Sequence, residues 1–221
     1  MVYMPGKSKT RSNKFLFWMI LFFLASLFSW IIFKYQNPST KRLPDCYCSK
    51  TKKSLDSNLS IAQTNIIDGA LKYIATKPKY KSKYYQTGYS NDKYGVCTDV
   101  VANALKNAGY DLMYLVNQDI KKNPDDYKIK TPDINIDFRR VRNLKIYFDH
   151  TAIKLSNDIK KFMDWQGGDI VIFKNHIGII SDRRNKNGIP YVIHHCLWQF
   201  RYEENILERR KDIIGHYRII N

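Results

Sequence analysis

Apolar residues recur at the spacing of an amphipathic helix in two parts of the chain. The first part has them at Ile61, Ala62, Ile66, Ile67, Ala70, Leu71 and Ile74. The second part, after Cys97, has them at Val100, Val101, Ala104, Leu105 and Ala108. Gly109 follows directly and is a residue type that commonly ends a helix. The pattern predicts one helix that opens the folded domain and a second that begins at or near Cys97.

The C-terminal half instead carries short runs of β-branched and aromatic residues between turn signals. The runs are Ile170–Phe173, His176–Ser181, Tyr191–Cys196 and His216–Ile220. Such runs, separated by short polar connections, predict consecutive antiparallel strands. Together with the helices upstream they predict an α+β fold, with a helical portion packed on an antiparallel sheet.

The N-terminal segment has a different pattern. Phe15–Phe33 is nineteen residues without a charge, which is long enough to cross a bilayer, and four basic residues precede it. We expect a cytoplasmic segment 1–14, a transmembrane anchor 15–33 and an extracytoplasmic domain. A cleaved signal peptide is the alternative, although Ser29-Trp30-Ile31 lacks the small residues of a cleavage site. A buried core helix is disfavoured because the segment has no polar face.

A linker, 34–59, separates this segment from the domain 60–221, whose length of about 160 residues suits one hydrophobic core. Cys46 and Cys48 lie in the linker and Cys196 in the domain, and spacing alone leaves their disulfide pairing open. The segments 1–14 and 34–54 contain ten Lys and Arg residues and one Asp, so that +8 of the chain's formal net charge of +17 belongs to residues 55–221.

This charge suits an anionic wall or lipid surface as well as it suits nucleic acid. The sixteen tyrosines could stack on bases, but no nucleic-acid-binding motif accompanies them, so we expect no nucleic-acid partner. The sequence also has no metal-ligand cluster and no glycine-rich phosphate loop. We therefore expect neither a metal nor a cofactor.

Cys97 is the candidate for chemistry in the first half. Asp99 in the first turn of the predicted helix and Lys106 in the last match the helix dipole. A thiol at the positive end of a helix can have a pKa well below its free value of ~8.5, which gives a nucleophilic thiolate. The alternative is a small buried apolar residue, the commonest role of a free cysteine.

Two histidines follow Cys97 on predicted strands. His176 begins the second strand, and His194 lies on the third, where side chains alternate between faces. His194 and Cys196 are therefore expected on one face and His195 on the other. Each histidine alone is better explained by a structural role. A helix-borne thiol followed by both histidines favours catalysis.

Several segments resemble a known family. Gly168-Asp169-Ile170-Val171 followed by His176-Ile177-Gly178-Ile179 resembles the strand pair of the NlpC-type peptidoglycan endopeptidases and amidases. The segments Val96–Val101, Asn135–Val141, His176–Arg184 and Gly215–Arg218 are more closely similar to the bacterial domain of unknown function family twelve-eighty-seven, which belongs to the papain-like clan. The resemblance covers residues 66 to 219.

The resemblance implies a papain-like fold and a thiol hydrolase. Cys97 is the implied nucleophile, His176 the general base and His194 the group that orients His176. One departure is that Val96 and Thr98-Asp99 flank Cys97, where the NlpC-type pattern has Asp before and Ser-Gly after.

Substrate-binding candidates come from the neighbouring polar residues. Tyr94 is a possible donor to the substrate, though Tyr84, Tyr85 and Tyr89 are nearby. Asp99, Arg139 and Arg140 could bind substrate groups, while salt bridges, for example to Asp137, explain the arginines equally well.

The expected function is a membrane-anchored extracytoplasmic cysteine hydrolase that cleaves amide bonds, with peptidoglycan or a peptide-like molecule as substrate. Two alternatives remain open. One is a non-catalytic wall-binding module of the same fold, and the other is a cysteine hydrolase or acyltransferase acting on protein or lipid. The sequence leaves the oligomeric state and the cleaved bond open.

Overall fold

The computed structural model describes residue 19 and residues 59–197 and 202–219. The predicted segment 1–14, the anchor 15–33 except Met19, and the linker with Cys46 and Cys48 lie outside the described residues. Within the described part of the chain, no helix is long and apolar enough to cross a membrane.

Most of the helices precede most of the strands along the chain. The helices are α1 (Ile61–Ala75), α2 (Cys97–Asn107), α3 (Leu112–Lys122), α4 (Pro124–Tyr127), α5 (Ile134–Asp137), α6 (Val141–Thr151) and α7 (Ile206–Arg209). The strands are β1 (Lys79–Tyr80), β2 (Tyr94–Gly95), β3 (Ile153–Lys154), β4 (Ile170–Phe173), β5 (His176–Arg184), β6 (Pro190–Ile193), β7 (Glu203–Glu204) and β8 (Ile213–Arg218).

Six of these strands form one antiparallel sheet, in the order β3-β8-β4-β5-β6-β7. The chain runs from β4 through β5 to β6 by adjacent pairings, and β8 then returns to the other side of β4. The short strands β1 and β2 form a separate parallel pair just before α2. The α+β class predicted from the sequence is confirmed.

The central strand β4 is covered on both faces, and all four of its residues are fully buried. Ile170 and Ile172 belong to the core shared with α1 and α2, while Val171 and Phe173 belong to a second core with Trp165 and Leu207. A strand buried on both faces needs no polar alternation. This explains the continuous apolar run that predicted β4.

Close packing of α1 on α2 sets the position of the cysteine-bearing helix. Ser60 caps α1: its Oγ accepts a hydrogen bond from the Gln63 backbone N–H at 3.2 Å, and the Gln63 side chain accepts one from the Ser60 N–H at 3.1 Å. A Cβ on Gly69 of α1 would lie 2.5 Å from Cβ of Asn107 and 2.9 Å from Cα of Ala104. Only glycine allows this approach.

Both predicted helices are present, as α1 and α2, and the first two predicted strands are present as β4 and β5. The predicted strand Tyr191–Cys196 ends earlier, at Ile193, because the chain leaves β6 after one short pairing with β7. The final strand begins three residues before His216, and Ile220 lies outside the described residues. The sequence pattern did not predict α3 and α6, which complete the helical half of the domain.

Candidate active site

Cys97 is the first residue of α2, as the sequence predicted. Its neighbour Val96 is extended, and Asp99 closes the first turn by accepting a hydrogen bond from the Val96 N–H at 2.8 Å. The Cys97 side chain belongs to the main core, and the residue is only 5% exposed. The thiol therefore lies at the helix start but is shielded from solvent.

This burial raises the pKa of the thiol, whereas the sequence predicted that the pKa would be lowered. Burial raises the pKa of Cys97 to about 11, and the negative charge of Asp99 raises it further. The backbone N–H groups of Ile177, Thr98 and Cys97 act in the opposite direction and lower the pKa. The prediction of a lowered thiol pKa was wrong, because desolvation of the sulfur outweighs the helix start and these amides.

The effect of the Ile177 N–H on the pKa of Cys97 also shows where the sulfur lies. This amide belongs to the peptide unit that joins His176 to Ile177, at the beginning of β5. The thiol of α2 thus lies beside the backbone of the predicted general base, although 79 residues separate the two side chains along the chain. Packing of α2 on β5 brings the thiol to this peptide unit.

His176 contacts His194 directly. Nε2 of His176 lies 3.0 Å from Nδ1 of His194, and the two rings meet edge to face with centroids 5.0 Å apart. Ile179 pairs with Ile193, which places Gly178 opposite His194. A Cβ on Gly178 would lie 3.2 Å from Cβ of His194, so this glycine leaves the room in which the two imidazoles meet.

Both histidines are almost completely buried, at 7% and 2% exposure. Burial lowers the pKa of His176 to about 3, and the neighbouring His194 lowers it further. Burial likewise lowers the pKa of His194 to about 4, with Arg209 as the next cause. At neutral pH the three side chains are therefore a neutral thiol and two neutral imidazoles.

His195 contacts a different set of side chains. Its ring packs against Tyr80, with centroids 5.2 Å apart, and against Tyr202, with centroids 5.4 Å apart. His194, and not His195, is the histidine that contacts His176, as the alternation of side chains along the strand indicated.

Asp99 and Arg139 form a buried ion pair. Nε and Nη2 of Arg139 lie 2.8 and 2.9 Å from the two carboxylate oxygens of Asp99, and each side chain is 1% exposed. Arg139 also donates to the carbonyl oxygen of Lys83, and the hydroxyl of Thr98 donates to the carbonyl oxygen of Arg139. The predicted substrate contacts of Asp99 and Arg139 are replaced by a structural role: they hold the first turn of α2.

The other two substrate candidates lie on the surface. Arg140 has a side chain that is 60% exposed, 3.7 Å from Asp137, so its role stays a prediction. The Tyr94 ring lies 5.0 to 5.6 Å from the ammonium groups of Lys81, Lys83 and Lys93. These contacts face Tyr94 towards the lysines.

Tyr80 is the tyrosine near the thiol. In the β1–β2 pair, Tyr80 lies opposite Gly95 and Tyr94 lies opposite Lys79, so the two tyrosines emerge on opposite faces. Burial raises the pKa of Tyr80, and Cys97 and Cys196 raise it further. Tyr80 is therefore a residue near the thiol that sequence reasoning missed, and the role of Tyr94 as a donor to the substrate stays a prediction. A parallel pairing of two-residue strands leaves no signal in the sequence.

Glu204 is a second residue that sequence reasoning missed. Its Oε2 lies 4.0 Å from Nε2 of His194 and 2.5 Å from Nη2 of Arg209. Asp169, which could have oriented a histidine, instead binds His216 at 3.0 Å and Arg218 at 2.7 Å, fully buried on the far side of β4. Among residues 59–197 and 202–219, no three metal-ligand side chains are gathered in one place.

Alkylation of the thiol should report the raised pKa. In a Cys196→Ala background we expect the rate of Cys97 modification by iodoacetamide to rise about tenfold per pH unit from pH 6 to 10, because only the thiolate reacts and the pKa is about 11. Mass spectrometry of the Cys97 peptide against time measures this rate. A plateau above pH 7 would show instead a thiolate–imidazolium pair at neutral pH.

Comparison with known proteins gives a family for this chain. The family model described as "Domain of unknown function (DUF1287)" matches residues 67–219, a range that holds Cys97, His176, His194 and Glu204. The "Uncharacterized protein YijF" of Escherichia coli (strain K12) is 38% identical over 176 residues, covering 74% of this chain and 82% of that protein. No solved structure matches the chain significantly. The chain belongs to the DUF1287 family.

Proposed function

We propose that this protein is a cysteine hydrolase that cleaves amide bonds, with Cys97 as nucleophile, His176 as general base and His194 as its orienting partner. The observation that carries the proposal is the 3.0 Å contact between Nε2 of His176 and Nδ1 of His194, beside the peptide unit at which the Cys97 sulfur lies. Nucleophile, base and orienting group in this order are the arrangement of thiol acyl transfer.

The protonation states mean that a proton must be transferred during attack. Because both Cys97 and His176 are neutral at pH 7, the thiol proton moves to Nδ1 of His176 as the sulfur attacks the carbonyl carbon. The backbone N–H groups of Cys97 and Thr98, which favour negative charge on the sulfur, are placed to favour it on the carbonyl oxygen as well.

The rest of the cycle uses the same two groups. The tetrahedral intermediate collapses to a thioester on Cys97, and the leaving amine takes the proton from His176. His176 then removes a proton from water, which attacks the thioester carbonyl. The carboxylic acid leaves and the proton returns to the sulfur, so the net reaction is amide plus water to acid plus amine.

Peptidoglycan is the substrate that we propose, with the domain held outside the membrane by segment 15–33. Support comes from the resemblance of Gly168–Val171 and His176–Ile179 to NlpC-type enzymes and from the net charge of +8 on residues 55–221, which suits an anionic wall. The uncharged N-terminal segment behind four basic residues supports the orientation.

Incubation of the full-length protein with purified peptidoglycan tests the proposal. We expect soluble fragments whose masses show one hydrolysed amide and whose new amines can be labelled. Binding to peptidoglycan without any fragment would favour a non-catalytic wall-binding module. Neither binding nor fragments, together with cleavage of protein or acyl substrates, would favour a cysteine hydrolase or acyltransferase of another kind.

The paired histidines offer a matched test of the orienting role. His194→Ala should lower turnover by about 10²-fold or more, within the range of acid–base partners, because it removes the contact to Nε2 of His176. His195→Ala is the control, since this neighbour is equally buried and contacts Tyr80 and Tyr202 instead. Steady-state rates of both variants on the same substrate decide the matter. A larger defect in His195→Ala would contradict the assignment.

A further inference from the structure

Glu203 and Glu204 lie on opposite faces of the edge strand β7. Val192 pairs with Glu204, and Ile193 pairs with Glu203. Paired residues share a face, so Glu204 emerges on the side of Val192 and therefore of His194, two residues on. Glu203 emerges on the other side, where it binds Arg183 at 2.6 Å and accepts a hydrogen bond from Ser181.

Glu204 lies at the end of a line of side chains that begins at His176. His176 contacts His194 through Nε2 and Nδ1, and Nε2 of His194 lies 4.0 Å from the Glu204 carboxylate. The His194 and Glu204 side chains are 3% and 15% exposed. Arg209 lies 2.5 Å from the same carboxylate oxygen and holds it in place.

The carboxylate of Glu204, at the end of this line, determines which nitrogen of each imidazole carries the proton. A carboxylate only accepts, so it favours a proton on the nearest nitrogen, Nε2 of His194. Neutral His194 then carries a lone pair on Nδ1, and His176 must donate its Nε2–H to that lone pair. The remaining nitrogen of His176, Nδ1, is left as the base. One tautomer assignment therefore satisfies the whole line.

We propose that Glu204 is a positioning residue that fixes the tautomers of His194 and His176 and so leaves Nδ1 of His176 free to accept the thiol proton. The catalytic part of this proposal rests on the function proposed above. The 4.0 Å separation is longer than a hydrogen bond, so the carboxylate acts through its field across a buried contact, where charges interact more strongly than in water.

Glu204→Gln removes the charge and keeps the shape, and Glu203→Gln is its matched control on the same strand. The full-length protein, labelled with ¹⁵N at its five histidines, gives the tautomers at pH 7 from two-bond ¹⁵N–¹H couplings. Wild type and Glu203→Gln should carry the proton on Nε2 of both His176 and His194. Glu204→Gln should move it towards Nδ1 in both, and turnover should fall about tenfold to a hundredfold, up to the range of acid–base partners.

Three results would overturn the proposal: a proton on Nδ1 of His194 in the wild type, wild-type tautomers in Glu204→Gln, or the same change in Glu203→Gln. The wild-type spectrum decides the first of these even if Glu204→Gln does not fold. The spectra need no substrate, so they test the tautomer assignment independently of any activity. Failure to hydrolyse any amide would contradict the proposed function but not the tautomer assignment.

Discussion

Cys97→Ala should lower turnover by about 10⁴-fold or more, because it removes the thiol on which we propose that the thioester forms. The change should leave the fold intact. Cys97 is a small side chain in the core, and truncating it to alanine costs on the order of 1 kcal/mol in the free energy of unfolding. Fragment release from peptidoglycan, measured beside circular dichroism, separates loss of chemistry from loss of structure.

The control for this prediction is Cys196→Ala. Cys97 and Cys196 are the cysteines of the described residues, and Cys196 is partly exposed. The Cys196→Ala protein should release fragments at the wild-type rate. If Cys97→Ala retained its activity while Cys196→Ala lost it, the nucleophile would be the other thiol and the proposed line of side chains would be wrong.

Arg139→Met should destabilise the protein by about 3–5 kcal/mol, the cost usual when one partner of a buried ion pair is removed. The change leaves the Asp99 carboxylate without its partner at 1% exposure. Asp99 also closes the first turn of α2, so the position of Cys97 depends on the same contact. Urea unfolding followed by circular dichroism measures the loss.

Arg140→Met is the matched control, because Arg140 is the next residue and has a 60% exposed side chain 3.7 Å from Asp137. An exposed ion pair of this kind contributes about 0–1 kcal/mol. Equal destabilisation by the two variants would contradict the structural role of the Asp99–Arg139 pair. A double Asp99→Asn, Arg139→Met variant should be more stable than Arg139→Met alone, because it removes the unpaired buried charge.

Local rules explain what the sequence predicted correctly. The start of α2 at Cys97 follows from apolar spacing and from an acidic residue in the first turn, both of which act within a few residues. The choice of His194 over His195 as the neighbour of His176 follows from alternation along a strand. Neither inference needed knowledge of which elements pack together.

Tertiary packing decides what the sequence did not reveal. The pKa of Cys97 depends on burial against β5, and the partner of Asp99 is Arg139, forty residues away. Tyr80 comes close to the thiol through a pairing between two-residue strands. Glu204 reaches His194 only through the register of β6 and β7. No spacing within one segment reports such contacts.

Trapping the covalent intermediate tests the central claim most directly. The full-length protein, mixed with peptidoglycan fragments and quenched in acid during turnover, should show by intact mass an added acyl group, and peptide mapping should place it on Cys97. The adduct should be absent from Cys97→Ala. It should accumulate when the substrate is an analogue with a thioester in place of the amide, because acylation of the enzyme is then faster. Turnover by Cys97→Ala at the wild-type rate, or an acyl group on another residue, would contradict the account.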